Sequence, residues 1–176
     1  MSFDRRPHRT AGKPGERRRN RIAGQWAPRP IEMLESPAWR VMSLSAHRVV
    51  DRIDIELRHH GGKENGDLIV TFDQFQQYGI HRHSIAPALR EVEALGLVEV
   101  TQRGRGGNAD FRMPNRFRLT FQPTDHAEPT HEWRRLSTMA EAEAVAQMAR
   151  EATKRSRVAR HKKLNRKPVS ENANYR

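Results

Sequence analysis

Three observations predict a small α+β domain with basic extensions. Ile85, Ala88, Leu89, Val92 and Leu95 recur at spacings of three and four, the stripe of a helix that faces a core. Residues 97–102 and 116–121 read as two strands around a glycine-rich tip, Arg103-Gly104-Arg105-Gly106-Gly107-Asn108. The second strand alternates Phe117, Leu119 and Phe121 with Arg116, Arg118 and Thr120. Charge divides along the chain: of the net +12, residues 1–29 carry +7 and 122–176 carry +5, while 36–121 carry +2 and 30–35 carry −2. Most of the positive charge therefore lies outside the segment that can fold.

Taken in order, residues 1–35 read as a disordered basic arm: Arg5-Arg6, Arg17-Arg18-Arg19 and Arg21 stand among glycines and prolines with little to bury. Ser36-Pro37 is a cap followed by a proline, a helix start, and Trp39 after it belongs to a core. Ser45 is placed to cap a longer helix with the stripe Ala46, Val49, Val50, Ile53 and Leu57, closed by His59-His60-Gly61-Gly62. Leu68, Ile69 and Val70 form a short extended run. Thr71 and Gln74 then have the capping-box spacing of a brief helix that Gly79 ends.

The central helix should begin near His83, leaving His81 and Arg82 in the turn, because Pro87 lacks an amide hydrogen and is comfortable only in a first turn. Gly96 ends it. Residues 122–136 read as a linker with Pro123 and Pro129. Thr138 and Glu141 repeat the capping-box spacing before an alanine-rich helix with Val145, Met148 and Ala152. Its acidic start and its basic end from Arg150 onward suit the helix dipole. Its apolar stripe is thin, so residues 137–176 are expected either to dock lightly or to project.

Several classes fall away. The absence of cysteine excludes disulfides, thiolate zinc sites and a cysteine nucleophile. The longest aliphatic run is three residues, far short of the ~18 that a membrane span needs, and no apolar signal segment opens the chain. His59-His60 and His81-x-His83 lack further ligands at a metal-binding spacing. The tip is not a phosphate-binding loop, since no Gly-Lys-Ser/Thr follows it into a helix. No catalytic constellation stands out. The expectation is a cytoplasmic protein with no enzymatic activity, cofactor, metal or membrane partner.

Ile85-Ala86-Pro87-Ala88-Leu89-Arg90-Glu91-Val92-Glu93-Ala94-Leu95-Gly96-Leu97-Val98 resembles the recognition helix and following strand of the winged helix-turn-helix superfamily. Pro114-Asn115-Arg116-Phe117-Arg118-Leu119-Thr120 is similar to the last wing strand of its bacterial and phage members, some plasmid replication initiators included. The resemblance covers residues 36–121 and implies double-stranded DNA as the partner. His81, Arg82, His83, Ser84, Pro87 and Arg90 would then face the major groove, and Arg103, Arg105, Arg112 and Arg116 the phosphates or the minor groove. Transcriptional regulation in bacteria, with a possible homodimer, is the expected role. Replication or maintenance of a mobile element is the alternative. An RNA-binding role, through the RGG-like tip and the tails, and a protein-interaction role stand behind these.

Overall fold

The computed structural model describes residues 24–105 and 113–164, with side chains to residue 152. The chain forms an α+β fold in which helices pack on a small three-stranded antiparallel sheet. Helices α1 (Ile31–Glu35), α2 (Pro37–Arg40) and α3 (Leu44–His59) precede strand β1 (Leu68–Ile69). There follow α4 (Phe72–Gln77), α5 (Arg82–Ala94), β2 (Val98–Gln102), β3 (Arg116–Leu119), a 3-10 turn (Glu132–Arg135) and α6 (Met139–Leu164).

The sheet order is β1-β3-β2, so the short early strand joins the ribbon instead of standing apart. Leu68 pairs with Phe117, Val98 with Leu119 and Val100 with Phe117. This register puts Leu68, Val98, Phe117 and Leu119 on the buried face, while Glu99 and Arg118 pair outward. The core joins these residues to Val49, Val50, Ile53 and Leu57 of α3, Phe75 of α4, and Ile85, Ala88, Val92 and Leu95 of the α5 segment. Each wholly buried aliphatic side chain contributes about 1.5–3 kcal/mol.

Local signals set most boundaries. Ser36 Oγ accepts from the Trp39 amide with Pro37 in the first turn, and Thr71 and Gln74 form both bonds of the capping box. Three expectations need correction. Helix α3 is capped by Ser43, whose Oγ accepts from the Ala46 amide, and not by Ser45. The arm does not run to residue 35: Met33 is wholly buried in α1, and Arg29 reaches Asp51 and Asp54 at 2.6 and 3.2 Å. Residues 1–23 of that arm lie outside the described residues.

Residues 122–136 are not a free linker either. Trp133 is 2% exposed within the core. Asn65 donates to the carbonyls of Leu119, Gln122 and Pro123, which ties the chain leaving β3 to the loop before β1. The folded body thus extends at both ends beyond the 36–121 expected, because a few large side chains in polar surroundings still reach the core.

Candidate nucleic-acid interface

Helix α4 ends at a turn where Gly79 takes φ 89°, and the Ile80 amide donates to the Phe75 carbonyl while its side chain is buried. That anchor delivers the chain into α5. His81 is the N-cap and makes no side-chain capping bond, so the positive end of the helix dipole is open to solvent. His81, Arg82 and His83 are all exposed at this end, and the two imidazole rings stack with centroids 5.5 Å apart. Ser84 is half-buried, its amide donating to the His81 carbonyl.

The helix starts one residue earlier than the proline rule requires, and this places Pro87 at its sixth position. With no amide hydrogen there, the His83 carbonyl loses its helical donor. Pro87 is nevertheless accommodated inside a helix whose apolar stripe is buried: Ile85, Ala88 and Val92 are all at most 1% exposed.

The outward face of α5 is only partly open, which corrects the expectation for Arg90. Helix α6 packs along its C-terminal half, with Ala142 and Ala146 wholly buried. Arg90 Nε donates to the Ala149 carbonyl at 3.3 Å, and its Nη2 is buried without a partner. Burial, with the charge of Arg103 adding to it, pulls the Arg90 guanidinium below its usual range. Arg90 is therefore committed to the contact with α6.

Beside it lies a node that the sequence did not announce. Glu91 is 1% exposed, and its carboxylate accepts from the Ser43 amide and hydroxyl, both at 2.8 Å, and from Arg150 at 2.7 Å. One side chain thus ties the start of α3, the middle of α5 and the body of α6 together. Its partners are 48 and 59 residues away in sequence, and no local spacing could have found them.

Three of the ribbon's arginines pair with acids, on neighbouring elements or on the facing strand. Arg103 Nη2 contacts both oxygens of Glu93 at 2.8 Å, Arg116 reaches Asp67 at 2.7 Å, and Arg118 bridges Glu99 and Glu132. Most of these acids are distant in sequence, where no local pattern points to them. Arg105 is exposed and pairs through its backbone with Met113. Gly104 packs so tightly that a Cβ would fall 2.5 Å from the Met113 carbonyl. Arg112 lies outside the described residues.

Arg82 and the ribbon meet across a cleft lined by Phe72, Asp73, Arg82, Gly104, Arg105 and Met113. On its α4 side, Asp73 accepts from Arg82 at 2.6 Å. Of the ten residues singled out from the sequence, His81, Arg82 and His83 sit together at one helix end. Of these three only Arg82 lines the cleft, with Arg105 across it; Ser84 and Pro87 are half-buried, and Arg103 and Arg116 stand along the ribbon. Arg90 is withdrawn.

Among the described residues no three His, Asp or Glu side chains are grouped to hold a metal ion, and no helix is long and apolar enough to cross a membrane. No protein-family model, curated protein or solved structure matches the chain.

Proposed function

We propose that this chain is a winged helix-turn-helix protein that binds double-stranded DNA and regulates bacterial transcription. The observation that carries the reading is the cleft: the open, basic N-terminus of α5, with His81, Arg82 and His83 exposed, shares it with Arg105 of the ribbon. The N-terminal turn of a helix is the part that enters a major groove, where an arginine can donate two hydrogen bonds to a guanine edge. Arg82 is the base reader. His81, His83 and Ser84 donate to phosphates or base acceptors, and Pro87 offers only apolar contact. Arg103, Arg105 and Arg116 follow the backbone or enter the minor groove, with Arg103 and Arg116 exchanging Glu93 and Asp67 for phosphates, a swap made cheap by the small worth of surface ion pairs.

Selection from a random duplex library with the full chain tests this. An enriched motif is expected, and a palindromic one signals a homodimer. Arg82→Ala should then cost about 1–3 kcal/mol of discrimination at one base pair, whereas Arg90→Ala leaves the motif unchanged. Failure of any motif to enrich refutes specific readout, and preferential capture by single-stranded RNA would favour the RNA-binding alternative.

A further inference from the structure

The cleft between α4, the first turn of α5 and the ribbon has a volume of about 490 Å³, within the ~300–1,000 Å³ typical of small-molecule sites. Its lining combines three kinds of surface. Val70 and Phe72 on one side and Met113 on the other are apolar. Val70 is 1% exposed and Phe72 packs on the core, so that side is fixed, while Met113 is 46% exposed and can adapt to what it meets. Arg82 and Arg105, from different elements, add two exposed guanidiniums. Asp73 adds one carboxylate, 68% exposed, which holds Arg82 at 2.6 Å.

The ribbon side is shaped before any ligand arrives. Arg105 exchanges two backbone hydrogen bonds with Met113, at 3.0 and 3.1 Å. Next to it, the Gly104 amide donates to Asn115 Oδ1 at 2.7 Å, and a Cβ on Gly104 has no room. Each surface then asks for a different part of a ligand. Two arginines take an oxyanion, best a phosphate, through charge-assisted hydrogen bonds. A carboxylate takes a hydroxyl or amino donor, as acidic residues do with a ribose. The apolar side takes a flat ring. A sugar phosphate lacks the ring and an apolar acid lacks the donors, whereas a nucleoside phosphate carries all three. Two cations against one acid leave a small positive excess, suited to one phosphate group and not to a run of them.

We propose that this cleft binds a free nucleoside 5′-monophosphate, its phosphate on Arg82 and Arg105, its ribose on Asp73 and its ring on the apolar side. The site is the cleft of the DNA-binding reading and rests on that reading for one consequence. A nucleotide that holds Arg82 keeps it from a base, so nucleotide and duplex exclude each other.

Isothermal titration of the full chain with the four ribonucleoside 5′-monophosphates, their nucleosides, ribose 5-phosphate and inorganic phosphate tests the site. At least one mononucleotide should bind about tenfold or more tightly than inorganic phosphate, ribose 5-phosphate or its own nucleoside. Arg82→Gln and Arg105→Gln should each weaken it by about 10–100-fold, the worth of a hydrogen bond to a charged group. Lys63→Gln removes an exposed charge outside the cleft and should leave it unchanged.

Equal binding of all the phosphates, or equal affinity of the parent and the arginine variants, refutes the site and leaves only the general attraction of a basic chain for anions. Tighter binding of a single-stranded tetranucleotide, lost in the same two variants, would assign the cleft to a strand and overturn the free-nucleotide assignment. On a duplex carrying the enriched motif, the tightest mononucleotide should displace the protein, and a complex that survives saturation refutes the exclusion. If no motif enriches, the DNA-binding reading falls while the titration alone decides the site.

Discussion

Replacing Glu91 by Ala is the most informative single perturbation of this fold. The change removes a carboxylate that is 1% exposed and accepts three hydrogen bonds. The Ser43 amide and hydroxyl sit at the start of α3, and each donor left without a partner inside the protein costs about 1–3 kcal/mol. Arg150 is 36% exposed, regains water when released and adds little. The expected loss is about 2–6 kcal/mol, the sum for two unpaired donors and a large part of the ~5–15 kcal/mol that holds a typical domain. Glu91→Gln keeps one acceptor oxygen and should lose less. Arg150→Ala should lose least, since the two bonds from Ser43 survive. Urea unfolding of the four proteins at neutral pH measures these values. A loss below about 1 kcal/mol for Glu91→Ala would show that water replaces the carboxylate freely. An equal loss for Arg150→Ala would mean that the ion pair, and not the cap on α3, dominates the node.

Three further outcomes follow from particular contacts. Gly96 has φ 74°, and a Cβ there would lie 2.8 Å from the backbone of Glu132, so Gly96→Ala should lose about 2–5 kcal/mol in urea unfolding; an unchanged midpoint would show that the 3-10 turn is not held there. Pro87→Ala restores a donor for the His83 carbonyl and should gain about 1–3 kcal/mol, read as a higher melting temperature. A gain without lost DNA discrimination would deny Pro87 a role in the interface. Burial holds His47 below its ordinary 6.5, with Asp51 opposing, Arg29 assisting and Glu91 opposing. The unfolded chain then binds a proton that the native state refuses, so stability falls as pH drops below about 6.5. His47→Gln should flatten that fall between about pH 7.5 and 5.5 in urea titrations, although His131, lowered by burial and by Arg134, keeps part of it.

The legible part of the fold was what short-range chemistry decides. The capping box at Thr71, the cap and proline at residues 36 and 37, the stripes of α3 and α5 and the alternation of β3 each express a rule that operates within one turn or one strand. Ser43 and Ser45 look alike to such a rule. The choice falls to Ser43 because Glu91, on another helix, takes its amide and hydroxyl. Trp133 was hidden for a related reason: a single large residue among polar neighbours carries no periodicity, yet it fills a core position.

Which of the candidate cations are exposed was not legible in the sequence. Arg82 and Arg90 are eight residues apart on one helix, and a helical wheel treats them as similar cations flanking the outward face. Their difference comes entirely from α6, whose thin apolar stripe suggested weak docking. Alanine makes a thin stripe but a close contact, since Ala142 and Ala146 bury fully with only a methyl group to hold the axes apart. The close approach brings the Ala149 carbonyl within reach of Arg90 and spends that cation on the scaffold. What remains for a partner is the first turn of α5, where α4 supplies only the exposed carboxylate of Asp73. An exposed pair of this kind contributes at most about 1 kcal/mol, less than a bidentate guanine contact returns, so under the proposed DNA-binding function Arg82 would leave Asp73 for a base at a net gain. Arg90, half-buried and already bonded, has no such exchange open to it.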